Sequence, residues 1–160
     1  MTTITFADIA HQSIAFSEER PHEKIVLQLI DTPWVQRLRD ISQTANTRLV
    51  YMFSEHSRFG HSLGVAYLAC VLMEKLRRNH REEIESYQNA VAAAALLHDI
   101  GHIAPGSHTA FKTWFPDEVD CHEHLSVDII NNDPSITNLL SPALRTQVTQ
   151  ILNEDAGVPP

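Results

Sequence analysis

The sequence is poor in cysteine and has no long apolar run. Its 160 residues include two cysteines, Cys70 in an apolar stretch and Cys121 in a polar one, and neither belongs to a CxxC pair. We therefore expect no disulfide framework. No run of about 18 apolar residues occurs, and the first residues lack the basic start and apolar core of a signal peptide. The composition predicts one soluble, cytoplasmic domain without membrane contact.

Basic residues are also scarce. The chain carries 12 Lys and Arg against 20 Asp and Glu, a formal net charge of −8. Because phosphate backbones are held mainly by Lys and Arg, we expect no nucleic-acid partner. A small anionic substrate stays open if a metal ion or local arginines reverse the field. Histidine, in contrast, is abundant: of ten, five fall between positions 98 and 124, namely His98, His102, His108, His122 and His124.

Most apolar positions recur at three- and four-residue steps, and strand-like alternation is scarce. This spacing predicts an all-α bundle with helices over about residues 33–43, 62–78, 83–100, 107–115 and 123–131, and a last helix that opens at Ser141. Gly101 stands where a helix-ending glycine belongs. The segment EKIVLQLID fits a short buried element of either type. One face of the second helix is expected to be buried, and it carries Leu63, Ala66, Leu68, Val71, Leu72 and Leu76.

The segment LLHDIGH ends an apolar helix on a histidine and a carboxylate. Neither group is stable in a dry interior without a partner. Imidazole with carboxylate is the ligand mixture of Zn, Mn, Fe and Ni centres, and near a helix end both His98 and Asp99 can reach one ion. The alternative is a capping arrangement, in which the helix dipole favours His98 but not Asp99.

Three segments together resemble the HD-domain phosphohydrolases: TPWVQRLRDISQ, HSRFGHSLGVAYLA and LLHDIGH. The resemblance spans about residues 31–130, is closest to the branch that hydrolyses deoxynucleoside triphosphates, and implies an HD-domain helical bundle. It implies that His61, His98 and Asp99 bind a divalent metal ion, which would be Mn, Fe, Zn, Ni or Mg. The family's fourth ligand, a downstream aspartate, has no good match, Asp155 being a poor candidate. We therefore expect either a single HD domain over residues 1–160 or an N-terminal fragment of a longer HD protein.

The same resemblance implies catalytic roles for His102, His108, His122 and Glu123. His102 or His108 would donate a proton to the departing oxygen, and the alternative for each is a hydrogen bond to phosphate. A histidine suits proton transfer because its pKa lies close to the working pH. His122 and Glu123 match the family's HE pair, which lines the same pocket.

Substrate contacts are implied as well. Arg58 matches an arginine of the family that contacts the substrate phosphates. Gln43 matches a glutamine of the family that lies near the sugar. Thr44 stands where leucine is frequent, which leaves selectivity for deoxyribose open. Four residues fall where some relatives bind a regulatory guanine nucleotide, although a solvated amphipathic helix with both arginines outside fits them too: Asp31, Gln36, Arg37 and Arg39.

Together these residues predict a metal-dependent phosphohydrolase acting on nucleotides, which by resemblance would be a dNTP triphosphohydrolase-like enzyme. Its products would be a nucleoside and tripolyphosphate. Two alternatives stay open. One is an HD phosphohydrolase on another phosphate ester; the other is a catalytically inactive, HD-like nucleotide-binding or regulatory module. The expected partner is a nucleotide or another phosphorylated small molecule, and a homo-oligomer is left open.

Overall fold

The computed structural model describes residues 2–8, 10–104, 108–117 and 122–153, without the side chains of residues 108–110. Short 3-10 turns cover Leu38–Asp40 and Ala45–Leu49. The described residues form two strands, β1 (Thr3–Asp8) and β2 (Gln12–Ser17), and eight helices. The helices are α1 (Pro21–Ile30), α2 (Pro33–Arg37), α3 (Arg58–Leu76), α4 (Arg81–Leu97), α5 (His108–Trp114), α6 (His122–Asn132), α7 (Pro134–Thr137) and α8 (Pro142–Leu152). The predicted all-α class is confirmed.

Helix α4 lies at the centre of the bundle and packs against α1, α3 and α8. Its inner positions are small: Ala90, Ala92, Ala93 and Ala94 are buried. Because alanine adds little bulk, neighbouring helices can approach this face closely. The helix therefore carries its last residues, and the polar turn that follows, into the interior.

Side-chain caps and prolines fix where several helices begin. Ser57 accepts a hydrogen bond from the Gly60 amide at the start of α3, and Ser141 accepts one from Leu144 at the start of α8. Prolines occupy the first turn of α1, α2, α7 and α8. The expected opening of the last helix at Ser141 is confirmed. No described helix combines the length and apolar character needed to cross a bilayer.

A β-hairpin at the amino terminus was not predicted. Strands β1 and β2 pair antiparallel, with Ile4 opposite Phe16 and Phe6 opposite Ile14. Ile14 and Phe16 are fully buried, whereas Ser13, Ala15 and Ser17 beside them are exposed or half-buried. This alternation in QSIAFS is the period of a β-strand. It extends over only six residues, so it is a weak signal beside the long helical segments.

Two predicted elements changed in extent or type. The helix expected over residues 33–43 ends as α2 at Arg37 and continues as a 3-10 turn to Asp40. Residues 41–43 then run extended beside residues 56–58, where the Gln43 amide donates to the His56 carbonyl at 3.0 Å and the Arg58 amide to the Ile41 carbonyl at 2.8 Å. The undecided segment EKIVLQLID is helical and forms most of α1.

The predicted buried face of α3 was partly wrong. Leu63 and Ala66 are buried, but Leu68, Leu72 and Leu76 are 52%, 54% and 40% exposed. Because α3 is apolar nearly all round, periodicity could not select the face that meets α4. The buried positions that the pattern missed include Phe59, Ser62, Cys70 and Met73.

Gly101 does not end a helix. Helix α4 ends at Leu97, and Gly101 does not adopt the left-handed backbone conformation. A Cβ at this position would meet the His122 carbonyl oxygen and would lie 2.5 Å from the Ser126 amide nitrogen. Glycine is therefore required by the close approach of the α6 backbone, and this approach brings α6 against the turn of residues 98–102.

Candidate metal centre

The helical hairpin of α3 and α4 brings the predicted ligands together. The two helices are joined by residues 77–80 and pack against each other, so the start of α3 lies beside the end of α4. His61 is in the first turn of α3, and His98 and Asp99 directly follow the last residue of α4. Residues far apart in sequence thus meet at one end of the bundle.

The ring nitrogens of two histidines face each other at this end. His61 Nε2 lies 3.2 Å from His98 Nε2, and His98 Nε2 lies 3.3 Å from Asp99 Oδ1. His98 Nδ1 is 2.9 Å from the Ala95 carbonyl oxygen, so Nδ1 carries the proton in neutral His98 and Nε2 presents a lone pair. Two nitrogens bound to one ion at about 2.1 Å lie roughly 3–3.4 Å apart. The spacing fits a shared cation.

The carboxylate that completes this group is buried and ionised. Asp99 is 4% exposed. Burial opposes its ionisation, but the hydrogen bond from His102, the charge that His98 carries when protonated and the charge of Arg58 outweigh burial and hold the pKa of Asp99 well below its usual range. Arg58 Nη1 donates to Asp99 Oδ2 at 2.7 Å. The other oxygen, Oδ1, faces His98.

Burial lowers the pKa of His61 from its ordinary value of 6.5, although Asp99 opposes this shift. A lowered pKa keeps the imidazole neutral near pH 7, which is the form that binds metal. The donor atoms of His61, His98 and Asp99 all lie within 4.8 Å of one another. Neutral His61 and ionised Asp99 are the forms that bind a divalent cation, and His98 adds a second imidazole to the group.

His102 and His122 extend the centre towards solvent. His102 is 5% exposed, and its Nε2 lies 3.4 Å from Asp99 Oδ1. The His102 and His122 rings are stacked with centroids 3.8 Å apart. His122 Nε2 lies 3.1 Å from Glu123 Oε1, on a side chain that is 56% exposed. Asp99, His102 and His122 form a second group of donor atoms within 4.8 Å.

Other predicted residues lie at the edge of the centre or outside the description. The Gln43 backbone is held next to the start of α3. Its side-chain oxygen is buried without a hydrogen-bond partner in the described part of the chain. Helix α5 begins at His108, whose side chain lies outside the description, as do Cys121 and Asp155. His124 is exposed.

The two arginines of the α2 segment behave differently. Arg39 is exposed, donates to Gln36 at 2.8 Å and lies over the Phe59 ring at 3.6 Å. Arg37 is half-buried and donates to the carbonyl oxygens of Ile100 and His102. The alternative of a solvated helix with both arginines outside therefore holds for Arg39 and is wrong for Arg37.

Sequence reasoning missed Ser126, a fully buried serine of α6. Its hydroxyl accepts from the Gly101 amide at 2.9 Å and donates to the His98 carbonyl at 2.8 Å. Ser126 thus ties the turn of residues 98–102 to α6. A serine has no distinctive spacing in the sequence, so only its burial next to the turn reveals this contact.

Comparison with known proteins gives a consistent result. The HD domain family model matches residues 58–148, more than half of the chain. The chain is 35% identical over 133 residues to the uncharacterized protein YwfO of Bacillus subtilis. The aligned segment is 81% of this chain and 30% of the relative. It is 39% identical over 113 residues to the deoxynucleoside triphosphate triphosphohydrolase SAMHD1 homolog of Dictyostelium discoideum, with 66% of this chain and 21% of the relative covered.

A further relative is the deoxynucleoside triphosphate triphosphohydrolase SAMHD1 of Danio rerio, 44% identical over 86 residues, which are 52% of this chain and 14% of the relative. The matched part of the chain thus corresponds to less than a third of each of these proteins. All three ligands of the candidate centre fall inside the segment that the family model matches.

Proposed function

Since the chain belongs to the HD domain family, we propose that it is a metal-dependent phosphohydrolase in which His61, His98 and Asp99 hold the ion. The observation that carries this proposal is the pair of imidazole Nε2 atoms 3.2 Å apart, with Asp99 Oδ1 3.3 Å from the second of them. Without a cation, the two rings can share at most one hydrogen bond through these nitrogens. A cation would engage both nitrogens and the carboxylate at once.

The donor set bears on the identity of the ion. Two imidazoles and a carboxylate suit Mn, Fe, Zn or Ni, whereas Mg prefers oxygen ligands throughout. A bound divalent cation would supply Lewis acidity towards a phosphoryl oxygen and an attacking water. The described residues provide three ligands, which leaves coordination positions for water and substrate.

The surrounding residues would bind and orient a phosphorylated substrate. Arg58 pairs with Asp99 through one nitrogen, and the planar fork of a guanidinium is a geometry that suits contacts to phosphate. His102 faces Asp99 Oδ1 through Nε2, and burial lowers its pKa, although its hydrogen bond to Asp99 opposes the shift. We assign it a hydrogen bond to phosphate rather than proton donation.

Proton transfer to the leaving oxygen would then fall to a neighbouring histidine. His122 stacks on His102 and contacts the exposed Glu123, so the pair can exchange a proton between the pocket and solvent. His108 is the other candidate, on the grounds of the motif alone. Gln43 would contact the sugar, because its backbone lies beside the start of α3, where Arg58 begins the helix.

The proposed substrate is a deoxynucleoside triphosphate, cleaved to a nucleoside and tripolyphosphate. It is the substrate class that the names of two relatives print. The negative charge of a triphosphate also suits a pocket that combines a divalent cation, Arg58 and several histidines, in a chain whose overall charge is −8. Other phosphate esters use the same chemistry and must be compared directly.

The experiment is a substrate panel on the purified chain. Deoxynucleoside triphosphates, ribonucleoside triphosphates and monophosphate esters are each incubated with Mn, Fe, Zn, Ni or Mg, and tripolyphosphate and phosphate are quantified. We expect tripolyphosphate from deoxynucleoside triphosphates with at least one of the first four metals, and none from an Asp99→Asn variant. If phosphate is released from monophosphate esters and no product forms from the triphosphates, the substrate is a phosphate monoester and the proposed triphosphate substrate is wrong. No product from any combination would contradict a hydrolase.

A nucleotide-binding module without turnover is the second candidate. It is favoured by one observation: the group around His61 and His98 contains a single carboxylate among the described residues, whereas the family pattern adds a downstream aspartate. Calorimetric binding of a deoxynucleoside triphosphate without product release would support the module over the enzyme.

A further inference from the structure

The turn of residues 98–102 carries the chemistry but is too short to hold its own shape. It contains His98, Asp99 and His102, and its internal hydrogen bonds include one from the His102 amide to the Asp99 carbonyl at 3.1 Å. Because α4 ends at Leu97, the carbonyl groups beyond it lack helical partners. The turn therefore depends on side chains from other elements to fix it.

Arg37 supplies two of these contacts from α2. Its Nη1 donates to the Ile100 carbonyl at 3.2 Å, and its Nη2 donates to the His102 carbonyl. One planar guanidinium thus joins the carbonyls on either side of Gly101. From α6, the Ser126 hydroxyl accepts from the Gly101 amide and donates to the His98 carbonyl. Side chains from two different elements thus hold the turn.

The location of Arg37 is costly without such a role. Its side chain is half-buried, and burial lowers the pKa of the guanidinium from its ordinary value. Among the described residues no carboxylate pairs with Arg37. The ring centroid of Trp34 lies 5.5 Å from the guanidinium carbon of Arg37. Even partial burial of a cation costs hydration that hydrogen bonds must offset, and the bonds of Arg37 go to the turn.

We propose that Arg37 is a positioning residue for the metal centre, which through the carbonyls of Ile100 and His102 fixes Asp99 and the His102 ring relative to His61. The expected effect of Arg37 on catalysis rests on the proposed function. Its expected effect on the shape of the turn rests on the hydrogen bonds alone. The guanidinium of Arg37 also lies beyond the carboxyl end of α4, where positive charge offsets the helix dipole. Arg37 touches no ligand atom and is not itself a catalytic residue.

The chain offers a matched control. Arg39 lies two residues further on, carries the same charge and is exposed, with contacts to Gln36 and Phe59. Neither contact reaches the turn. Arg37→Gln and Arg39→Gln therefore remove equal charge from neighbouring positions, and only the first removes the bonds to Ile100 and His102. Arg37→Lys keeps the charge but loses the fork, so it can reach one carbonyl at a time.

The first measurement is Co²⁺ titration of the full chain, followed by its visible absorption. Loss of a group that orients metal ligands typically weakens metal binding by about 10–100-fold. We expect a loss in that range and a changed spectrum for Arg37→Gln, a smaller loss for Arg37→Lys, and affinity within about twofold of wild type for Arg39→Gln. Wild-type affinity and spectrum in Arg37→Gln, or an equal loss in Arg39→Gln, would overturn the proposal.

The second measurement reads the turn without metal. Amide hydrogen exchange at Gly101 and His102 in the metal-free protein should be at least about 10-fold faster in Arg37→Gln than in Arg39→Gln, because the turn opens more often. If Arg37→Gln does not fold, Arg37→Lys carries both measurements with the same expected direction. Unchanged exchange in the folded variant contradicts the proposal.

Activity separates this inference from the proposed function. With saturating metal, Arg37→Gln should lower kcat and raise KM, because Asp99 and the phosphate-binding His102 are both less firmly positioned. If the wild type binds Co²⁺ and responds to Arg37→Gln but hydrolyses no nucleotide, the positioning role stands and the hydrolase is wrong. If kcat and KM are unchanged while hydrolysis proceeds, the positioning role is wrong and the hydrolase stands.

Discussion

Two buried histidines of this protein have different surroundings. His102 is 5% exposed and lies 3.4 Å from Asp99 Oδ1, in contact with the His122 ring. His22 is 2% exposed, and neither of its ring nitrogens has a hydrogen-bond partner among the described residues. Its nearest carboxylates, Glu23 and Glu74, lie 3.9 and 3.8 Å from Nε2.

The two environments differ in whether the polar groups next to the histidine are bonded to other residues or point towards a common centre. Glu23 is already engaged, since its two oxygens accept from the Ser17 amide and from Arg20, both at 2.7 Å. At the candidate metal centre, by contrast, His61, His98 and Asp99 place their donor atoms within 4.8 Å of one another. A buried polar residue alone therefore does not indicate a site. Convergence of several donor atoms on one point does.

The largest expected effect comes from removing a ligand. His98→Ala removes one of the three proposed metal ligands. Loss of a residue that only orients a ligand weakens metal affinity or activity by up to about 100-fold. Loss of a ligand itself should lower the metal affinity and the hydrolysis rate by more than that, and the purified variant should contain less metal. His22→Leu, which removes the equally buried histidine outside the centre, should keep the metal content of the wild type. Elemental analysis of the purified proteins and the nucleotide assay check both.

Equal metal content in His98→Ala and the wild type would contradict the assignment of ligands. Loss of metal in a folded His22→Leu variant would instead show that the two histidine environments are not independent. Circular dichroism of both variants confirms that they are folded.

A second effect comes from filling the space at Gly101. Gly101→Ala places a Cβ against the α6 backbone, and such overpacking costs about 3 kcal/mol. For a domain of this size the Tm should fall by about 6–12 °C. Gly60→Ala is the control in α3, because nothing lies within 4 Å of its added Cβ. Its Tm should stay level or rise slightly, since alanine favours the helix.

Thermal unfolding followed by calorimetry measures both shifts. If Gly101→Ala were as stable as Gly60→Ala, the close approach of α6 to the turn of residues 98–102 would be incorrect.

The smallest effect concerns the pH dependence of stability. Burial lowers the pKa of His22 in the folded state from its ordinary value of 6.5, although Glu23 and Glu74 oppose the shift. The unfolded chain therefore binds this proton more readily, and the free energy of unfolding should fall as the pH drops below about 6.5. In His22→Leu this fall should be smaller but not absent, because the pKa values of His61 and His102 are lowered as well.

Urea unfolding at several pH values between 7.5 and 5.5 tests this. A wild type and a His22→Leu variant with parallel pH profiles would show that His22 does not titrate differently in the two states.

The sequence predicted the helical class because most of the chain repeats at the period of a helix. The periods of α4 and α8 are clear, and the last helix opens at Ser141 as expected from residue type. The cap at Ser57 was not predicted, and α3 begins four residues earlier than expected. The hairpin was missed because β1 and β2 are six residues each. Periodicity also could not orient α3, whose Leu68 and Leu72 are exposed, since no face of that helix is clearly polar.

Motif spacing brought His61, His98 and Asp99 into one hypothesis, and the antiparallel packing of α3 and α4 supplies the physical reason for their proximity. Side-chain hydrogen bonds to backbone carbonyls have no such pattern. Nothing in the sequence separates Arg37 from Arg39, although the first bonds to the turn and the second faces solvent. Such contacts depend on tertiary structure and become visible only in three dimensions.

The most direct test of the account is anomalous diffraction from crystals soaked in Mn²⁺. The account predicts one strong peak about 2.0–2.3 Å from His61 Nε2, His98 Nε2 and an Asp99 carboxylate oxygen. A peak held elsewhere, or density that leaves His61 and His98 in direct contact with no ion between them, would contradict it.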